Sequence, residues 1–181
     1  MNRRIVSALL LFPLFSTFSW GAGPTERKAQ DFKINMVDGS KVSLGQYQGK
    51  VVVLAMIMTT CPHCQAATRI LATLQKEFGP KGLQVLEAAL DQKPAESVPV
   101  FIKNFNPPFP VGYTTVAESI AFMQLSSKKR YYVPYVTFID RDGMIRGQYV
   151  GDDPFNAEKA QAANYRAMVT KLVNGKDAAR K

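Results

Sequence analysis

Cys61 and Cys64 are the only cysteines in the chain, and they enclose Pro62 and the single histidine, His63. Two thiols this close suit reversible disulfide chemistry, in which one thiolate attacks a foreign disulfide and the second displaces the product. The nucleophile is the thiolate, so the chemistry depends on whether the surrounding chain stabilises an anion at this place.

The flanking residues supply such a place. Val51 to Met58 is an unbroken apolar run rich in β-branched residues and predicts a buried strand. Gln65 to Phe78 places Ala67, Ile70, Leu71, Leu74 and Phe78 on one helical face, and Gly79-Pro80 ends that helix. The dithiol therefore sits where a strand becomes a helix. A first helical turn has unpaired N–H groups and the positive end of the macrodipole, both favourable to an anion. Cysteines in such settings ionise at roughly 3.5–7.5 instead of about 8.5. Pro62 fits the first turn, where its missing N–H costs nothing, and a protonated His63 adds positive charge.

Three other uses of two close cysteines exist. A structural staple closing so short a loop restrains the unfolded chain by only about 2 kcal/mol, against about 3 for a 15-residue loop. A zinc site needs four ligands, and the sequence has neither a second cysteine pair nor a distal histidine. Cu(I) accepts two soft thiolates with help from a thioether, for which Met56 or Met58 is available, although core packing is the simpler use of both. A Cu(I)-binding protein or metallochaperone is thus the alternative function. The redox reading requires no metal and no prosthetic group.

Arg3-Arg4 precede the apolar stretch Ile5 to Phe15, and small residues follow at Gly21-Ala22-Gly23, the pattern of a secretory signal peptide. Residues 1–23 are read as that signal, cleaved near Ala22/Gly23, and 24–181 as one domain. Ser7, Pro13, Ser16, Thr17 and Ser19 break the stretch, which is short for a span of about 20 apolar residues. An uncleaved anchor is the alternative. Export implies a periplasmic or otherwise extracytoplasmic, oxidising compartment.

Loss of Arg3 and Arg4 lowers the formal charge from +9 to +7, so the mature chain stays basic. The positive charge gathers at Lys128-Lys129-Arg130 and at Lys171, Lys176, Arg180 and Lys181, without the aromatic interleaving of a nucleic-acid surface. A solvated surface is expected, with weak attraction to acidic partners or an anionic membrane surface as the alternative. A monomer is expected.

Further along, Asp31 to Ser43 predicts a short hairpin around Asp38-Gly39, and Leu83 to Leu90 a second apolar strand. Strand, helix and strand make a βαβ unit and imply a parallel pair. Helices are predicted over 95–105 and 115–125, strands over 136–140 and 144–150 around Asp142-Gly143, and a closing helix over 156–173. Ala160, Ala163, Tyr165, Met168 and Leu172 are the candidate apolar side of that last helix. Glu87 and Asp91 lie on this second strand, which should neighbour the dithiol strand, so that either is a candidate carboxylate near Cys64, with an outward-facing or strand-end place as the simpler reading of both.

Pro134 stands directly before Tyr135-Val136-Thr137-Phe138-Ile139. Together with the strand, the Cys-Pro-His-Cys turn and the Asp-Gly hairpin, it resembles the thioredoxin superfamily over roughly residues 31 to 173. The N-terminal hairpin, Lys81 to Leu86 and Tyr135 to Ile145 are similar to the exported TlpA/ResA-like thiol–disulfide oxidoreductases. The 73 positions between Cys61 and Pro134 suit the insertion of that branch, whereas Pro62-His63 resembles the disulfide-forming DsbA proteins. The resemblance implies an α/β, thioredoxin-like fold: a central mixed sheet flanked by helices, with an N-terminal β-hairpin extension. It further implies Cys61 as attacking thiol, Cys64 as resolving thiol and Pro62 and His63 as redox-tuning residues. Thr60, Val133 and a cis Pro134 become the substrate-binding positions. The implied partners are protein thiols and disulfides and an unidentified redox partner.

The chain departs from the family pattern at several positions. Thr60 occupies the usual tryptophan position, Ala55 that of thioredoxin's buried aspartate, and Ala67 that of the ResA-like glutamate, so no proton acceptor for Cys64 is evident. Tyr131, Tyr132 and Tyr135 surround the proline as candidates for substrate contact or packing. A peroxiredoxin is excluded by Leu54 at the motif's proline position, and an SCO-type copper protein by the cysteine spacing and the missing distant histidine.

Overall fold

A computed structural model describes residues 25–175. The signal segment expected over 1–23, its cleavage point, and Lys176, Arg180 and Lys181 lie outside the described residues. The strands are β1 (Arg27–Lys28), β2 (Lys33–Asn35), β3 (Lys41–Ser43), β4 (Val51–Ile57), β5 (Leu83–Ala89), β6 (Val111–Tyr113), β7 (Tyr135–Ile139) and β8 (Met144–Tyr149). They form one mixed sheet in the order β1-β8-β7-β4-β5-β6-β2-β3. The helices are α1 (Pro62–Phe78), α2 (Pro94–Phe105), α3 (Val116–Met123) and α4 (Glu158–Asn174). This is the thioredoxin-like architecture, with β2 and β3 as the N-terminal hairpin.

β4 is buried along its whole length because both of its faces are covered. Val51, Val53, Ala55 and Ile57 pack with α1, α2 and α4, whereas Val52, Leu54 and Met56 pack with Phe32, Ile34 and α3. It runs parallel to β5, with α1 as the crossover, and antiparallel to β7. The sheet centre is thus a rigid platform. Everything between Ile57 and Pro62 projects from its edge.

Three expectations are corrected. The buried stripe of α4 is Gln161, Tyr165, Val169 and Val173, while Ala163 is exposed; a repeat of four residues that includes a glutamine fixes the helix rotation. That glutamine donates to the Tyr165 hydroxyl, which gives its buried amide a partner. Met58 is not core, being 41% exposed just past the end of β4, whereas Met56 is fully buried. Glu87, finally, points inward: it shares the side of β5 with Leu83, Val85 and Ala89 and is completely buried.

Candidate active site at the start of helix α1

Cys61 is the N-cap of α1, with extended backbone (φ −79°, ψ 120°), and Pro62 is the first helical residue. No side chain caps this end. The turn is closed by the Cys61 N–H donating to the Met58 carbonyl (3.1 Å), and the Gln65 N–H donates to the Cys61 carbonyl (3.0 Å). Upstream, the Asp91 carboxylate accepts from the Thr59 N–H (3.0 Å) and hydroxyl (2.5 Å), while the Gln65 amide donates to the Thr59 carbonyl (2.9 Å). Asp91, just beyond β5, thereby clamps the segment leading into the dithiol. Thr60, Pro62 and His63 are exposed.

The two thiols are free and unequal. Cys61 is half-buried at the surface, whereas Cys64 has no exposed area. Burial pushes the Cys64 thiol far above the ordinary range; the neighbouring Cys61 and Glu87 act in the same direction, against a hydrogen bond at the Met58 backbone.

The register Met56↔Tyr135 between β4 and β7 carries Pro134 to the level of Ile57, four residues before Cys61. The Val133–Pro134 peptide bond is cis. Pro134 is buried, and Val133 and Cys61 pack, half-buried, against the same core cluster. The Gly151 N–H donates to the Tyr132 carbonyl (2.5 Å), fixing the segment from the β8 side. Tyr132 is 55% exposed, with the Arg130 guanidinium 5.6 Å from its ring centre. Tyr135, in contrast, is buried and serves packing.

Beneath the dithiol lies a polar group in an otherwise apolar layer. Glu87 pairs in register with Ala55 of β4 and Val111 of β6. Its Oε1 accepts from the Thr68 hydroxyl (3.0 Å), and its Oε2 has no hydrogen-bond partner among the described residues. Desolvation raises its pKa to about 8, with the Thr68 bond opposing. Tyr165 of α4 faces the same space; its hydroxyl donates to Asn156 Oδ1 (2.7 Å) and accepts from the Gln161 amide (3.2 Å). Among the described residues no group of three or more His, Cys, Asp or Glu side chains is placed to hold a metal ion.

The profile of the Redoxin family matches residues 24–165. The chain belongs to the Redoxin family. Among its relatives, the thiol-disulfide oxidoreductase ResA of Bacillus cereus is 25% identical over 145 residues, 80% of this chain and 78% of that protein. The thiol:disulfide interchange protein of Chlorobium tepidum TLS superposes with a TM-score of 0.67 at 22% identity, covering 84% of this chain and 99% of that one. The thioredoxin domain of a thiol-disulfide oxidoreductase from Bacteroides vulgatus gives 0.60 at 20% identity, over 77% and 98% of the two chains. The Redoxin chain is a ResA/TlpA-like redox enzyme of the thioredoxin superfamily.

Cys61, Pro62, His63 and Cys64 thus share the first turn of α1, Thr60 lies in the turn before it, and Val133 and Pro134 lead into β7 beside β4. The sequence reading assigns Thr68 no role and turns Glu87 outward, whereas the structure places both beside Cys64. The signal was present, since an acidic residue falls at the same parity as Leu83, Val85 and Ala89 in an apolar run.

Proposed function

We propose that this Redoxin protein is an extracytoplasmic thiol–disulfide oxidoreductase that exchanges disulfides with protein substrates through Cys61 and Cys64. The observation that carries this reading is the inequality of the two thiols, one accessible at a helix N-terminus and the other fully buried one turn later. That arrangement orders the chemistry. The Cys61 thiolate attacks a sulfur of a substrate disulfide, a Cys61–substrate bond forms, and the other substrate sulfur leaves as a thiolate. Cys64, stripped of its proton, then attacks Cys61 Sγ; the Cys61–Cys64 disulfide forms and the remaining substrate sulfur leaves with the second electron pair. The reverse sequence oxidises a substrate dithiol.

Within this proposal Pro62 and His63 tune the potential, because they alone separate the two sulfurs. Thr60, Val133 and Pro134 supply the substrate contact, with the Val133 backbone pairing to an extended segment. The sulfurs hold both electrons, so no cofactor takes part, and a second redox protein restores the starting state. The basic N-terminal pattern before an apolar stretch supports export.

The test is disulfide exchange by the purified protein with an unfolded, disulfide-containing protein. Cys61→Ser is expected to abolish exchange, and Cys64→Ser to accumulate substrate mixed disulfides at Cys61. Exchange that survives in Cys61→Ser, or tight stoichiometric Cu(I) binding without exchange, overturns the proposal.

A further inference from the structure

Glu87 is a completely buried carboxyl group for which the exchange chemistry as described has no use. The two family positions that resemblance marks for such a group hold Ala55 and Ala67, and Glu87 is the register partner of the first. Thr68 follows Cys64 by one helical turn, so both side chains lie on the face of α1 that covers β5. The Thr68 hydroxyl stands 3.0 Å from the Cys64 carbonyl and 3.0 Å from Glu87 Oε1. A hydroxyl has one proton and can donate to only one of these acceptors at a time. If Glu87 is ionised, the proton is drawn to its carboxylate. If Glu87 is protonated, its own O–H can donate to Thr68 Oγ1, and Thr68 is released to donate to the Cys64 carbonyl. The second oxygen, Oε2, has no hydrogen-bond partner among the described residues. An unpaired carboxylate oxygen in a dry layer is costly and calls for a proton or a donor.

We propose that Glu87 accepts the Cys64 proton in the resolving step, and that Thr68 is the positioning residue that sets how readily Glu87 ionises. This rests on the thiol–disulfide reading above. In the Cys61–substrate mixed disulfide, the Cys64 S–H proton passes to the Glu87 carboxylate, directly or through one water. The Cys64 sulfur bonds to Cys61 Sγ as the Cys61–substrate bond breaks, and the departing thiolate takes a proton from solvent. The proton on Glu87 returns to solvent before the next turnover. The titratable groups facing Glu87 are Cys64 from α1 and Tyr165 from α4, while its strand partners Ala55 and Val111 bring none. The Tyr165 hydroxyl is committed to Asn156 and Gln161, which leaves Cys64 as the proton source.

Stopped-flow reaction of the reduced protein with 5,5′-dithiobis(2-nitrobenzoate) separates the two readings. The bimolecular release of the first nitrothiolate reports attack by Cys61, and the unimolecular release of the second reports attack by Cys64 on the mixed disulfide. In the wild type the second phase should accelerate as pH rises through about 8, where Glu87 ionises. Glu87→Gln should remove that inflection and slow the second phase about 100-fold, the range of a lost proton acceptor, with the first phase unchanged. Thr68→Val takes away the one donor to Glu87 and should move the inflection to higher pH. An unaltered second-phase profile in Glu87→Gln overturns the proposal. Where Glu87→Gln does not fold, an inflection that stays in place in Thr68→Val overturns it. Absence of the first phase in the wild type overturns the thiol–disulfide reading instead.

Discussion

Ala55 and Glu87 stand side by side in the parallel register of β4 and β5, both pointing under helix α1. The strand leading to the dithiol is entirely apolar, and its neighbour carries a carboxyl group into the same layer. That position links stability to pH.

Folding raises the Glu87 pKa from 4.5 to about 8. The folded state therefore holds one more proton than the unfolded state between those values, and stability contributed by the protonated group is full below 4.5 and lost as pH rises toward 8. The slope is about 1.4 kcal/mol per pH unit inside that window. Glu87→Gln cannot lose a proton and should lack it. Urea denaturation of both proteins at pH 5, 6, 7 and 8 checks this; parallel stability curves would show that Glu87 does not titrate on unfolding.

The same burial predicts how the thiols react with alkylating reagents. Cys61 is at the surface and should react in the native state, while Cys64 is completely covered and should react only when the start of α1 opens. Its alkylation rate should rise steeply with subdenaturing urea, while that of Cys61 stays flat. Mass spectrometry of the labelled sites reads both rates, and native-state labelling of Cys64 as fast as Cys61 would contradict the assigned roles.

Most of the framework was legible because its elements are long and periodic. β4, α1 and β5 emerge from an apolar run, an amphipathic face and a second run, and the position of Cys61 follows from their junction. β1 and β6 escaped because they are as short as β2 and β3 but have no Asp-Gly turn between paired strands to mark them. The α4 face is legible in Tyr165, Met168 and Leu172, which are buried or pack against the core, but not in Gln161, which is kept inside by a tyrosine hydroxyl that no local pattern reveals. Burying a carboxyl is costly, so an outward Glu87 is the simpler expectation from sequence. Its parity with Leu83, Val85 and Ala89 is the sequence signal for an inward place, and the structure adds the Thr68 hydroxyl that holds it. Likewise, the placing of Pro134 beside the dithiol strand depends on the long-range pairing of β4 with β7.

That pairing is braced by a close backbone approach. A Cβ on Gly151 would lie 2.3 Å from the Val133 carbonyl oxygen and 2.6 Å from that of Tyr132, distances no methyl group tolerates. Gly151→Ala must therefore displace the segment that leads into Pro134. Exchange with a protein disulfide should fall about 10- to 100-fold, the scale of a misplaced binding segment. Reaction of Cys61 with a small disulfide should change little, as it needs no contact with Val133. Equal losses on protein and small-molecule disulfides would remove Val133 from substrate binding.

The clamp on the other side of the dithiol gives the last prediction. Asp91 accepts two hydrogen bonds from Thr59, at 3.0 Å from its N–H and 2.5 Å from its hydroxyl, and no helix or strand holds residues 58–60 otherwise. Hydrogen bonds to a charged group contribute roughly 1.5–3 kcal/mol each to net stability. Asp91→Ala, which removes two, should thus destabilise the fold by about 3 kcal/mol or more, and Thr59→Val, which retains the N–H bond, by about half as much. The functional effect should be on Cys64 more than on Cys61. Loosening the turn opens the start of α1, so native-state alkylation of Cys64 should quicken about tenfold or more in Asp91→Ala, as expected when local opening becomes easier by about 1.4 kcal/mol. Hydrogen exchange at the Thr59 and Cys61 amides provides the independent reading. Unchanged protection of these amides in Asp91→Ala would mean that the turn is held by the Gln65 bond to the Thr59 carbonyl and the Met58–Cys61 closure alone.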